Sequence, residues 1–112
     1  MQYALLIYGG DPDAPPDRPM DEAVAAVLAR PYVTGWARLH AAGSATTVRA
    51  GEAGMLLTDG PFVDSKEFLA GLVMIEADDL DGALAVAAEL QETREGGAIE
   101  VRPLREGCPR GA

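Results

Sequence analysis

The chain has 112 residues, of which 48% are apolar and 24% are charged, and these proportions indicate a single globular domain. Its formal net charge of −9 disfavours binding to nucleic acid or to anionic membrane surfaces, because both depend on clustered Lys and Arg. There is neither a basic signal-peptide start nor an apolar run of membrane-spanning length, so the expected location is the cytoplasm.

The first half of the chain is expected to form one strand and one long helix. Residues 2–8 are an apolar run of strand formers that ends at two glycines. After a loop rich in Pro and Asp, apolar residues at helical spacing predict a helix that begins near Pro19 or Met20 and reaches Leu39. Pro31 lies inside this pattern and removes a backbone donor, so we expect a kink or a break there.

The second half predicts a hairpin, a strand, a helix and a final strand. Residues 44–50 and 55–58 are rich in β-formers and flank a four-residue loop. Residues 69–75 form a second continuous apolar run, and the pair Asp78-Asp79 supplies an N-cap for the helix that follows. The apolar stripe of that helix consists of Leu80, Ala83, Leu84, Ala87 and Leu90. Residues 99–104 alternate as a half-exposed outer strand does, which leaves one domain over residues 1–106 and a flexible tail over 107–112.

The two continuous apolar runs indicate the fold class and the assembly. Strands that are apolar on both faces are buried on both sides, so residues 2–8 and 69–75 should be the central pair of the sheet. That position fits an α+β, ferredoxin-like βαββαβ fold with an extra β-hairpin arm. Because two helices cover only one face of the sheet, the other face should pack against a second copy. We therefore expect a homodimer that forms a dimeric α+β barrel.

The sharpest local motif follows the hairpin. Asp59, Gly60 and Pro61 predict a rigid reversal of the chain, and Phe62 is expected to anchor the loop by burying its ring. The stretch from Asp59 to Glu67 resembles the DGPF signature of the YCII-related proteins. Residues 3–10 (YALLIYGG), 45–49 (ATTVR) and 99–104 (IEVRPL) are similar to other segments of that family.

The resemblance implies a ferredoxin-like dimer, commonly encoded near or fused to extracytoplasmic-function sigma factors and mostly without an assigned reaction. Some distant relatives are enzymes with a proposed His-Asp acid-base centre, one branch of which removes chloride from chlorinated hydroxyquinols. This sequence has no histidine near its first strand. The favoured function is therefore small-molecule binding or regulation. The alternative is a cofactor-free lyase, dehydrochlorinase or isomerase, and a cofactor-independent monooxygenase is a weaker alternative by fold analogy.

Eight side chains are candidate site residues, and no cofactor is expected. The candidates for proton transfer are Asp59, Lys66 and His40. For His40 the competing interpretation is a histidine at the edge of the apolar stripe of the first helix. The candidates for ligand binding are Arg49, Thr47, Tyr8, Phe62 and Glu67. With one histidine and one cysteine, Cys108, the chain lacks the ligands for a metal site rich in these residues.

Overall fold

The computed structural model describes residues 1–11, 13–15, 17–63 and 67–107. Two helices and six strands follow one another in this part of the chain, together with a short 3-10 helix over Ala42–Ser44. In order they are β1 (Gln2–Tyr8), α1 (Glu22–Leu28), β2 (Val33–Arg38), β3 (Thr46–Gly51), β4 (Gly54–Asp59), β5 (Leu69–Glu76), α2 (Leu80–Gln91) and β6 (Ala98–Pro103). Neither described helix is long and apolar enough to cross a membrane.

Four strands form the main sheet in the order β2-β5-β1-β6, and every neighbouring pair is antiparallel. The two strands predicted to be central, β1 and β5, are central, and β6 lies at an edge as predicted. The chain is thus an α+β protein whose helices and antiparallel sheets are compatible with a ferredoxin-like fold. Two-sided apolarity of β1 and β5 is the sequence feature that placed them correctly.

The predicted long first helix is wrong in its second half. Helix α1 ends at Leu28, and the residues after Pro31 form strand β2 instead. A register shift between Val33 and Gly35 places both Val33 and Trp36 opposite core-facing residues of β5. In an ordinary strand two residues three apart point to opposite faces, so this bulge reproduces the spacing of a helix. Pairing with β5 therefore makes this segment a strand, although its sequence pattern alone is compatible with a helix.

The hydrophobic core lies between the main sheet and the two helices. Its strand members are Tyr3 and Leu5 of β1 and Val73 and Ile75 of β5, and its helix members are Val27, Ala83, Ala87 and Leu90. Since successive strand residues point to opposite faces, Ala4 and Leu6 of β1 lie on the face away from both helices. One face of the central strands is thus packed against the helices, and the apolar residues of the other face are half-buried.

Helix α2 is positioned by its cap and by small residues. The Asp79 carboxylate accepts a hydrogen bond of 2.9 Å from the Gly82 amide, as expected of an N-cap. The prediction that Leu80 and Leu84 belong to the buried stripe is wrong, because both are exposed. Two of the three buried residues of α2 are alanines, Ala83 and Ala87. Small side chains let the helix axis lie close to the sheet, and the larger leucines then point away.

Strands β3 and β4 form a separate two-stranded sheet, called here the hairpin arm (residues 46–59). Gly51 pairs with Gly54, so the loop has two residues and not the predicted four. Gly54 has a φ of +129°, which favours glycine. Adjacent residues Met55, Leu56 and Leu57 are all exposed, with 72% of Met55 accessible, so the hairpin arm shows apolar side chains on both faces.

An ion pair connects the two helices. Arg30, just after α1, contacts both carboxylate oxygens of Glu89 on α2, with an Nη1 to Oε1 distance of 3.0 Å. The same Nη1 donates to the Tyr32 hydroxyl at 2.7 Å. The hydrogen bonds from Arg30 hold the pKa of the Glu89 carboxyl below its ordinary value, and Glu89 raises the pKa of Arg30. The pair is half exposed, so its contribution to stability is modest.

We expect Glu89→Gln to lower the melting temperature slightly at neutral pH. A lowered pKa in the folded state gives stability that is present above the ordinary carboxyl pKa. It is lost as the pH falls through the folded value, because protonation removes the charge. The gap between wild type and variant should therefore shrink between about pH 5 and about pH 3 in thermal denaturation. Glu92→Gln is an exposed control and should have the same melting temperature as wild type. A difference in melting temperature between wild type and Glu89→Gln that stays constant with pH would contradict this role of the ion pair.

Candidate functional site

A cavity of about 590 Å³ lies between the sheet and the helices. It occupies the end of the sheet where β1 and β2 finish and where β5 and β6 begin, as the antiparallel register requires. Ile7, Val73 and Ile99 line it from the sheet, and Val24 and Leu28 line it from α1. Its size falls within the range of small-molecule sites. We call this space the sheet-helix cavity.

Two glycines allow the backbone to approach closely at the sheet-helix cavity. A Cβ atom on Gly71 would lie 2.6 Å from the Ala37 carbonyl oxygen, so β2 and β5 meet here only because Gly71 has no side chain. Gly9 has a φ of +92°, and its Cβ would lie 2.8 Å from the Cα of Gly97 and 2.9 Å from Oε2 of Glu67. Both positions therefore require glycine on steric grounds. The end of β1 and the start of β5 are consequently held close beside the cavity.

Cationic side chains surround the same cavity. Arg18 in the loop after β1, Arg38 at the end of β2 and Arg94 after α2 all line it, as does His40. Only one carboxylate, that of Asp11, lines it among the described residues. In a chain with a formal charge of −9 this is a local concentration of positive charge. The site therefore combines an apolar wall with a cationic rim.

Arg94 has a structural role within this rim. Its Nη2 donates to the Tyr8 carbonyl at 2.8 Å, and its Nη1 donates to Oε1 of Gln91 at 3.2 Å. Because its donors already bind the protein, Arg94 joins the end of α2 to the end of β1. It contributes charge to the cavity and fixes the cavity wall.

Four of the candidates from the sequence lie on or beside the hairpin arm and not at the cavity. Asp59 is the exposed last residue of β4, and its carboxylate makes no hydrogen bond to a described residue. The Thr47 hydroxyl donates to the Gly60 carbonyl at 2.8 Å and so stabilises the turn after β4. The Arg49 guanidinium lies 5.7 Å from the centroid of the Phe62 ring, a cation-π distance. The expectation that Phe62 is buried is wrong, since 72% of it is exposed.

Of the remaining candidates, only His40 lines the cavity. His40 is an exposed residue after strand β2. The interpretation that it lies at the edge of the apolar stripe of a helix is therefore wrong. Tyr8 is the half-buried last residue of β1, and its backbone carbonyl accepts the hydrogen bond from Arg94. Glu67 lies beside Gly9, while Lys66 and the tail from residue 108 lie outside the described residues. As proposed catalytic or binding residues, all eight remain predictions.

The sequence interpretation missed Arg18, Arg38 and Trp36, which line the cavity. Arg38 and Trp36 were missed because their segment was assigned to a helix, and Arg18 because it lies in an irregular loop. Basic residues are scarce in this chain, and that scarcity could have pointed to the site. The chain has only nine Lys and Arg residues in total, and three of them line the cavity. Within the described residues, no group of three or more His, Cys, Asp or Glu side chains is placed to hold a metal ion.

Comparison with known proteins agrees with the resemblance seen in the motifs. A family model of the YCII-related domain matches residues 1–107. An uncharacterised protein of Rhizobium meliloti (strain 1021) is 34% identical over 114 aligned positions, which cover 93% of this chain and 92% of the relative. Both matches extend over nearly the whole chain, including the β1, hairpin arm and β6 segments. The chain belongs to the YCII-related domain family.

Proposed function

We propose that this protein binds a small organic molecule in the sheet-helix cavity and acts as a homodimer, without catalysing a reaction. The observation that carries the proposal is the cavity itself. It has a volume of about 590 Å³, an apolar wall built by α1 and the sheet, and a few polar groups at its rim. Apolar enclosure with a small number of convergent polar groups is typical of ligand sites.

Binding is favoured over catalysis by the position of the predicted acid-base residues. Asp59 is exposed at the end of the hairpin arm and does not line the cavity, and Lys66 lies outside the described residues. A catalytic site needs its proton-transfer groups within hydrogen-bond reach of one bound substrate. Among the described residues, only His40 of the three proton-transfer candidates lies at the cavity.

The position of His40 also favours a second candidate function, a cofactor-free lyase, dehydrochlorinase or isomerase. An imidazole beside an apolar cavity can transfer a proton to or from a bound molecule. Under the binding proposal, compounds that bind should be recovered unchanged after incubation with wild type or with His40→Gln, as followed by mass spectrometry. Consumption of a compound by wild type and not by His40→Gln would instead establish the enzyme.

Blocking the cavity should abolish ligand stabilisation. We expect some compounds of a metabolite library to raise the melting temperature of wild type by about 5 °C at a free concentration about ten times Kd. Val24→Trp fills the cavity from α1 and should remove this shift. Val48→Trp makes the same change on the exposed hairpin arm and should keep it. Equal shifts in both variants would refute binding in this cavity.

The homodimer is proposed because an apolar sheet face has no cover. Ala4 and Leu6 of β1 and Leu72 and Met74 of β5 are half-buried and alternate with the core residues, and this alternation assigns them to the face away from both helices. The register pairs Ala4 with Met74 and Leu6 with Leu72, so they form one continuous patch. A patch of this kind on a small domain is stabilised by burial against another protein surface. A second copy offers the same patch, and two sheets that face each other would form a dimeric α+β barrel.

The hairpin arm supports the same assembly. Met55 and Leu57 are more than 70% exposed, and neighbouring Leu56 points to the other face of the hairpin arm with 55% exposed. The two strands pair only with each other, so the hairpin arm is not stabilised by the main sheet. Two-stranded hairpins are marginal alone in water. Contact with a second protomer would bury these side chains.

The link to a sigma factor that the resemblance implies stays a prediction.

We expect light scattering after size-exclusion chromatography to give about twice the chain mass of 11.7 kDa for wild type. Met74→Glu places a charge on the uncovered sheet face and should shift the protein to monomer. Leu84→Glu makes a similar change on exposed α2 and should leave the dimer intact. A monomeric wild type at micromolar concentration would rule out this assembly.

A further inference from the structure

We propose that the ligand of the sheet-helix cavity is a small monocarboxylate with an apolar body, whose carboxylate is held by Arg18 and Arg38. This inference rests on the proposed function and specifies the chemical class of the ligand. The starting observation is the distribution of charge. Acidic residues outnumber basic ones by 18 to 9 over the whole chain, yet the cavity brings together three arginines and one histidine.

Within the described residues, neither of the two rim arginines has an acidic partner. Among the described residues, Arg30 and Arg102 form ion pairs with Glu89 and Glu100. No described carboxylate lies within 4.0 Å of the guanidinium of Arg18 or Arg38. In an acidic protein, two guanidinium groups that make no ion pair with a described carboxylate can bind an external anion.

The Arg38 side chain is held against the backbone of Arg18, and both residues line the cavity. Nη1 of Arg38 donates to the carbonyl oxygen of Arg18 at 3.1 Å, which ties the loop after β1 to the end of β2. The remaining donors of Arg38 and all side-chain donors of Arg18 make no hydrogen bond to a described residue. A planar guanidinium binds a carboxylate through two parallel hydrogen bonds. The arrangement therefore offers a site for one carboxylate group.

The rest of the cavity selects for an apolar body. Val24 and Leu28 of α1 face Val73 across the cavity, and Trp36 lines its side with nearly half of its surface exposed. An aliphatic or aromatic group buried here would cover this surface and lose contact with water, which is favourable. A ligand that satisfies both regions has one charged end at Arg18 and Arg38 and an uncharged body beside Trp36.

Two features limit the ligand to a single negative charge. The carboxylate of Asp11 also lines the cavity and would repel additional anionic groups. Arg94 donates hydrogen bonds to Tyr8, Gln91 and Ala98, so fewer of its donors are left for a second anionic group than in Arg18 or Arg38. Polyphosphates and dicarboxylates therefore fit less well than monocarboxylates.

The single tryptophan of the chain provides a direct readout, because Trp36 lines the cavity. The probes are cyclohexanecarboxylate and cyclohexanecarboxamide, which share the apolar body and differ in charge. Their dissociation constants are measured from the Trp36 indole N–H signal in proton–nitrogen correlation spectra. We expect saturable shifts with both probes and at least about tenfold tighter binding of the carboxylate. Raising the ionic strength should weaken the binding of the carboxylate and leave the binding of the carboxamide unchanged.

Variants of the rim arginines test whether these side chains cause the tighter binding of the carboxylate. Arg38→Gln should weaken carboxylate binding by about tenfold and leave carboxamide binding unchanged. Arg18→Gln should do the same if Arg38→Gln does not fold, as judged by the dispersion of the spectrum. Arg105→Gln makes an identical change of charge at an exposed residue that does not line the cavity, and it should bind both probes as wild type does.

The outcomes separate this inference from the proposed function. Equal affinity for the two probes, or a carboxylate preference that survives both Arg38→Gln and Arg18→Gln, would overturn the assignment of the ligand class while binding in the cavity stands. The absence of any shift of the Trp36 signal with either probe, in a folded protein, would overturn both.

Discussion

The structure depends on one constraint: its two central strands are apolar on both faces, while both helices lie on one face. Tyr3, Leu5, Val73 and Ile75 form the core with the helices, and their neighbours along the strands point the other way. Burial of apolar area is the main favourable term in folding, so the second face needs a cover that the described part of this chain does not supply. The proposed homodimer follows from that requirement.

The same arrangement of helices on one face creates the cavity. Helix α1 has seven residues and ends at Leu28, so it covers only part of the sheet. The space beside it is closed by the loop after β1 and by the chain that leaves β2, and these bring Arg18 and Arg38 together. The Arg30 and Glu89 pair joins the helices, so the fold holds the apolar wall and the cationic rim in one place.

Long, strongly patterned segments could be predicted from the sequence, and the segments decided by tertiary contacts could not. Strand β1, strand β5 and helix α2 were placed correctly because an apolar run or an N-cap identifies each of them. Strand β2 was missed because Tyr32, Trp36 and Leu39 recur at helical spacing, whereas pairing with β5 makes the segment a strand. The site was predicted at the DGPF-like turn because rigid turns position side chains well. The cavity instead gathers residues that lie far apart in sequence, such as Arg18 and Trp36.

In the proposed homodimer, a second copy covers the face of β1 and β5 that lies away from the helices. Isotope-filtered nuclear Overhauser spectra of a sample mixed from labelled and unlabelled protomers test this contact directly. Intermolecular contacts are expected from the methyl groups of Leu6, Leu72 and Met74, which lie on that face. Methyl groups without intermolecular contacts, and instead broadened by a soluble paramagnetic probe, would contradict it.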